Sequence, residues 1–143
     1  MELQESIRSL CQALQADVPE ADARGRYVLR FEDELELRCF LLVGKPMLEG
    51  VICRAPAEPA EAEALFKKLL RVSLARARDR ADTLTLDQEA GEVLLVRRLA
   101  VESGGGREFV GAVEDFLNQL DFWHRQTTKD VSPRSPFSMF ARP

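Results

Sequence analysis

From Tyr27 to Arg54 apolar and polar residues alternate, and only short polar links interrupt the alternation. That feature limits the fold, because parallel neighbours need a crossover of about a dozen residues and a short link permits only antiparallel pairing. Tyr27, Leu29 and Phe31 alternate with Val28, Arg30 and Glu32, which predicts a first strand. Leu35, Leu37, Cys39 and Leu41 alternate with Glu34, Glu36, Arg38 and Phe40 in a second, with Glu32-Asp33 as the hairpin link. Gly44-Lys45-Pro46 reads as the next turn and Met47 to Arg54 as a third strand.

Helical periodicity surrounds this block. Leu3, Ile7, Leu10, Cys11 and Leu14 make one apolar stripe, which Asp17-Val18-Pro19 ends, since proline disfavours helical geometry in the residue before it. After the link Pro56 to Pro59, Ala62, Leu65, Phe66, Leu69, Leu70 and Ser73 share one broad helical face. The stretch LTLDQEAGEVLLVRRL predicts two more strands, about Thr83–Leu86 and Glu92–Leu99, with Gly91 supplying a positive φ in the turn. The linker Glu102 to Gly106 leads to a last helix carrying Phe109, Val113, Phe116, Leu117, Leu120 and Trp123. The expected order is α-β-β-β-α-β-β-α, an α+β fold on an antiparallel sheet over residues 1–126. Residues 127–143, rich in Thr, Ser, Pro and Arg, read as a C-terminal tail.

A chain of 143 residues is long enough for one core of its own. Its net charge of -4 argues against nucleic acid as a partner, because phosphate binding needs clustered positive charge. No apolar run approaches the roughly 20 residues of a membrane span, and MELQESIRSL lacks the apolar core of a signal segment. A cytoplasmic protein is expected. Cys11, Cys39 and Cys53 fit that reading as reduced thiols, although Cys39 and Cys53 could face each other on neighbouring strands.

The polar motifs carry little chemistry. DQEAGE is far shorter than a calcium loop and lacks its ligand spacing, so it is read as turn punctuation and no metal is expected. Gly104-Gly105-Gly106 lacks the Lys-Ser/Thr of a phosphate loop and reads as a connector. His124 is the only histidine, which excludes a His-pair metal site, and no Ser or Cys stands in a nucleophile motif. Neither catalysis nor a cofactor is expected; a phosphate-ligand enzyme using the glycine linker and His124 is the weakest alternative. The basic pieces, Lys67-Lys68, Arg71, Arg76 to Arg78 and Arg97-Arg98, are interleaved with acids and read as a solvated face.

Apolar surplus is more informative. Val72 and Leu74 lie off the main stripe of the middle helix, and a helix with more apolar surface than one face needs usually meets a second partner. A twofold dimer is favoured over a monomer with exposed leucines.

Several residues together resemble the class I chaperones of type III secretion, the Tir-chaperone family. They are Leu69-Leu70-Arg71-Val72-Ser73-Leu74, the strand Leu84-Thr85-Leu86-Asp87, the run from Gly91 to the Arg97-Arg98-Leu99 end, and Phe109, Phe116 and Trp123 in the last helix. Ser73, Arg80-Ala81 and Ala100 depart from the family's usual Asn, Gly and Pro. The resemblance implies a non-enzymatic bacterial homodimer that binds the N-terminal segment of a secreted effector and helps deliver it to the secretion ATPase. It implies an effector surface at Leu3, Ile7, Leu10, Leu14, Val28, Leu29, Phe31 and Phe40. The dimer contact it implies uses Leu65, Leu69, Val72, Leu84 and Leu86. A small dimeric adaptor of the same fold that binds a folded partner is the alternative. The tail residues Phe137, Met139 and Phe140 are expected to anchor in an apolar groove, imitating an effector peptide.

Overall fold

Helix α1 (Leu3–Leu14) buries Leu3, Ile7, Leu10 and Cys11, the stripe set by its repeat. The computed structural model describes residues 3–31, 35–76, 81–99 and 106–127. Pro19 is not what ends α1. Gln15 takes φ 55°, and the amides of Gln15 and Ala16 bond back to the carbonyls of Gln12 (3.2 Å) and Cys11 (2.9 Å). This is a left-handed helix cap built on a non-glycine residue, and it satisfies carbonyls that the helix end leaves open.

Five strands follow: β1 (Tyr27–Arg30), β2 (Glu36–Leu42), β3 (Lys45–Arg54), β4 (Asp82–Asp87) and β5 (Glu92–Arg98). Helix α2 (Pro59–Arg76) separates β3 from β4, and α3 (Gly106–Thr127) closes the order. The fold is therefore α+β, with all neighbours antiparallel in the spatial order β1-β2-β3-β5-β4. The β2–β3 turn is tighter than expected. Val43 and Gly44 alone form it, at φ 50° and 75°, and Leu42 pairs with Lys45, so Lys45 and Pro46 belong to β3. Gly91 turns β4 into β5 at φ 67°.

Alternation sorts the sheet into two faces. Leu29, Leu37, Cys39, Leu48, Ile52, Val93 and Leu95 join α1 and the α3 residues Phe109, Val113, Phe116, Leu120 and Trp123 in one core. Gly50 admits the closest approach: a Cβ there would lie 2.6 Å from Leu120 Cδ2. The opposite face carries Val28, Arg38, Phe40, Leu42, Met47, Glu49, Val96 and Arg98, as the strand register requires. Arg38 crosses it in ion pairs with Glu49 (3.3 Å) and Glu92 (3.8 Å).

Cys39 stands opposite Leu48, so it does not face Cys53, and all three cysteines are unbridged. Burial, and secondarily Cys11, pushes the Cys39 thiol up to about 12. The link 32–34, the linker 100–105 and the tail expected to anchor through Phe137, Met139 and Phe140 lie outside the described residues.

Candidate functional site

The sheet has two edges, β1 and β4. The turn into β1 is held by Asp22, whose Oδ1 accepts from the amides of Arg24 (2.9 Å) and Arg26 (2.8 Å). The Arg26 amide, ahead of the Arg24 amide and the Arg26 charge, keeps this carboxyl below its ordinary range. Four residues of β1 then pair with β2, from Tyr27 opposite Cys39 to Arg30 opposite Glu36, which leaves the other edge of β1 unpaired among the described residues.

The eight residues expected to bind an effector do not form one groove. Leu3, Ile7, Leu10 and Leu29 are buried between α1 and the sheet. Leu14 is 46% exposed at the end of α1. Phe31 packs half-buried just beyond β1, and Val28 and Phe40 lie half-buried on the opposite face. Phe31 and Val28 thus border β1 on its two faces, with Phe40 on the neighbouring strand, and Leu14 stands at the end of α1.

Helix α2 is unlike the other two. Of its 18 residues only Leu69 is buried. It touches α3 through Lys68 Nζ, which donates to the Gln126 carbonyl, and through Arg76, which donates to Gln119 Oε1 and stacks 3.9 Å from the Phe122 ring centre. Leu65 and Val72 are half-buried against the core, whereas Leu70 and Leu74 are 61% and 77% exposed. On β4, Leu84 is half-buried and Leu86 is 40% exposed. The most accessible leucines of α2 therefore sit beside the expected set. Leu74 carried a signal in the sequence, since it lay off the main stripe.

Arg97 corrects the solvated-face reading. Its side chain is only 9% exposed and grips Asp82 through both Nε and Nη2, the latter at 2.9 Å. Nη2 also donates to Asp115 (2.7 Å), Nη1 reaches the Ala112 carbonyl (3.4 Å), and the guanidinium lies 5.8 Å from the Phe116 ring centre. Burial opposes the Arg97 charge, but the two carboxylates outweigh it and raise its pKa. The cluster ties β4 to β5 and α3. Sequence gives no sign of it, because Asp82 and Asp115 are 15 and 18 residues away.

His124 is half-buried, its Nε2 2.8 Å from the Val51 carbonyl. Among the described residues no three His, Cys, Asp or Glu side chains converge on a metal site, and no helix is long and apolar enough to cross a membrane.

Residues 5–124 match the Tir chaperone protein (CesT) family. The chain belongs to that family. Solved structures similar to this CesT-family chain include the ExsC–ExsE complex, with TM-score 0.65 and 18% identity over 87% of this chain and 96% of that one. The HopA1–SchA chaperone–effector complex gives 0.64 and 13% over 85% and 91%. The heterodimeric ExoU–SpcU complex from the type III secretion system of Pseudomonas aeruginosa gives 0.60 and 18% over 84% and 92%. At these identities the likeness is one of fold. No curated protein matches the CesT-family chain in sequence.

Proposed function

We propose that this chain is a type III secretion chaperone of the bacterial cytoplasm. It acts as a homodimer and binds the N-terminal segment of a cognate effector, keeping it soluble, extended and ready for secretion and for delivery to the secretion ATPase. The observation that carries this reading is the edge of β1, unpaired among the described residues and bordered by Phe31 on one face and by Val28 and Phe40 on the other. An extended segment pairs its backbone with such an edge and places alternate side chains on the two faces. One set meets Leu14 and Phe31, the other Val28 and Phe40. Ordering a disordered chain is costly, so a path around both faces supplies area that one groove lacks. The second edge, β4, shares a hollow with Ser73 and Arg76 at the end of α2 and is assigned to the dimer, through Leu65, Leu69, Val72, Leu84 and Leu86 together with Leu70 and Leu74.

The test is co-expression with the secreted protein encoded nearby, followed by co-purification and limited proteolysis. A protected N-terminal segment is expected. Leu14→Glu and Phe40→Glu, at sites outside the core, should each weaken capture about tenfold, the effect of burying one charge in an apolar contact. Protection of no segment, or retention only of a folded partner domain, overturns the proposal; the second result selects the adaptor alternative.

A further inference from the structure

The β2–β3 hairpin ends in an unusual way. Val43 is 94% exposed and sits at φ 50°, the left-handed region that a β-branched residue rarely occupies. Asparagine or glycine would hold the same turn without that strain and without presenting an isopropyl group to water. Leu41 and Leu42, just before it, are 52% and 54% exposed. Strain and apolar exposure thus coincide at one tip, a combination that points to a contact made by the Val43 side chain.

Beside the tip lies a hollow of about 590 Å³, on the sheet face opposite α1 and α3. Met47 and Val96 line it from the sheet, the exposed Leu42 and Val43 form an apolar rim, and Lys45 and Arg98 give it two cations. Thr83 and Ala81 complete the wall, so no acidic residue of the described chain lines it. Among the described residues neither Lys45 nor Arg98 has an ion-pair partner.

Charge chooses among occupants. If a twofold axis passed through the hollow, its lining, which holds two cations and no acid among the described residues, would face the same lining of a second copy, and like-charge repulsion opposes that. The tail of this chain carries Lys129, Arg134 and Arg142 against Asp130 alone, so it is repelled too. An anionic bilayer is the other occupant that offers apolar groups beside negative charge, and the vesicles below read it out. We infer that this hollow docks an acidic, leucine-rich segment of a partner protein, with leucines against Val43 and Met47 and carboxylates on Lys45 and Arg98. The surface uses none of the residues assigned to effector capture at β1, so it goes beyond that reading.

The probe is a fluorescent peptide of alternating leucine and glutamate, titrated with the full chain and followed by anisotropy. A leucine–lysine peptide and anionic phosphatidylglycerol vesicles run in parallel. Saturable binding of the leucine–glutamate peptide alone is expected. Lys45→Glu with Arg98→Glu should weaken it at least about tenfold, the usual size for loss of close interfacial charge pairs. Val43→Asn keeps the turn while removing the apolar tip and should weaken it severalfold with the melting temperature unchanged or raised. Equal binding of the lysine peptide, binding to vesicles only, or wild-type affinity in both variants overturns the inference.

Discussion

Arg97 shows how a single buried charge organises a region. Asp82 is only 4% exposed in its side chain, so removing the guanidinium leaves a carboxylate buried without its counter-ion. Arg97→Met should cost about 3–5 kcal/mol, the range for breaking a buried pair from one side. Chemical denaturation with the double variant Arg97→Met, Asp82→Leu checks the cause. The double variant should recover much of the loss, since replacing both partners of a buried pair by apolar groups is often nearly neutral. Equal loss in the single and double variants would mean that packing rather than charge holds β4 in place. The same residue marks the limit of reading a sequence. Arg97-Arg98 looks like a solvated pair, yet alternation along β5 turns Arg97 inward and Arg98 outward. Only the distant carboxylates make the inward position tolerable. Gln15 and Val43 are similar cases: both hold left-handed conformations that neither residue type advertises.

Elements were far more legible than their joints. Periodicities of 3.6 and 2 are local properties, so α1, the antiparallel strands and α3 could be placed from their apolar residues alone. Their ends depend on caps and turns of a few atoms. For this reason α1 stops before Pro19, and Pro46 enters β3. Strand order depends on pairing across the chain, and β3 next to β5 has no local signature. That pairing brings β3 under α3, where Gly50 meets Leu120. Gly50→Val adds a Cβ and two methyl groups where even the Cβ lacks room. Stability measured by urea unfolding should fall by about 1–3 kcal/mol, the usual cost of overpacking. An unchanged midpoint would show that Leu120 can move aside at no cost. The candidate surface was only partly legible for a related reason. A helix stripe signals burial, but it does not say whether the burial is within the chain or against a partner. Leu3, Ile7 and Leu10 turned out to be core, and Leu14, Val28 and Phe40 stayed accessible.

For the whole molecule, the exposed face of α2 is the feature that bears on assembly. A helix with one buried residue out of 18 contributes little to the core, so its exposed leucines, Leu70 and Leu74, can change without unfolding the rest. Leu70→Glu with Leu74→Glu should therefore leave a cooperatively folded chain while converting the proposed dimer to a monomer, with a melting temperature lowered only by the loss of dimer linkage. Light scattering behind a sizing column should then show a mass falling from twice 16.1 kDa to that value. A wild-type chain that is already monomeric, or a double variant that stays dimeric, removes α2 from the interface.

The edge of β1 is only four residues long, and that shortness has a kinetic side. An added strand can form about four backbone hydrogen bonds there, because alternate groups of an edge strand point outward. Each contributes roughly 1 kcal/mol net, so the backbone alone holds a guest at no better than about millimolar strength. Residence then depends on side chains seated on either face, and a pull on one end of the guest can detach them one at a time. So brief an edge also gives stray strands little to pair with, so the same four residues that admit a partner discourage clumping of the chaperone with itself.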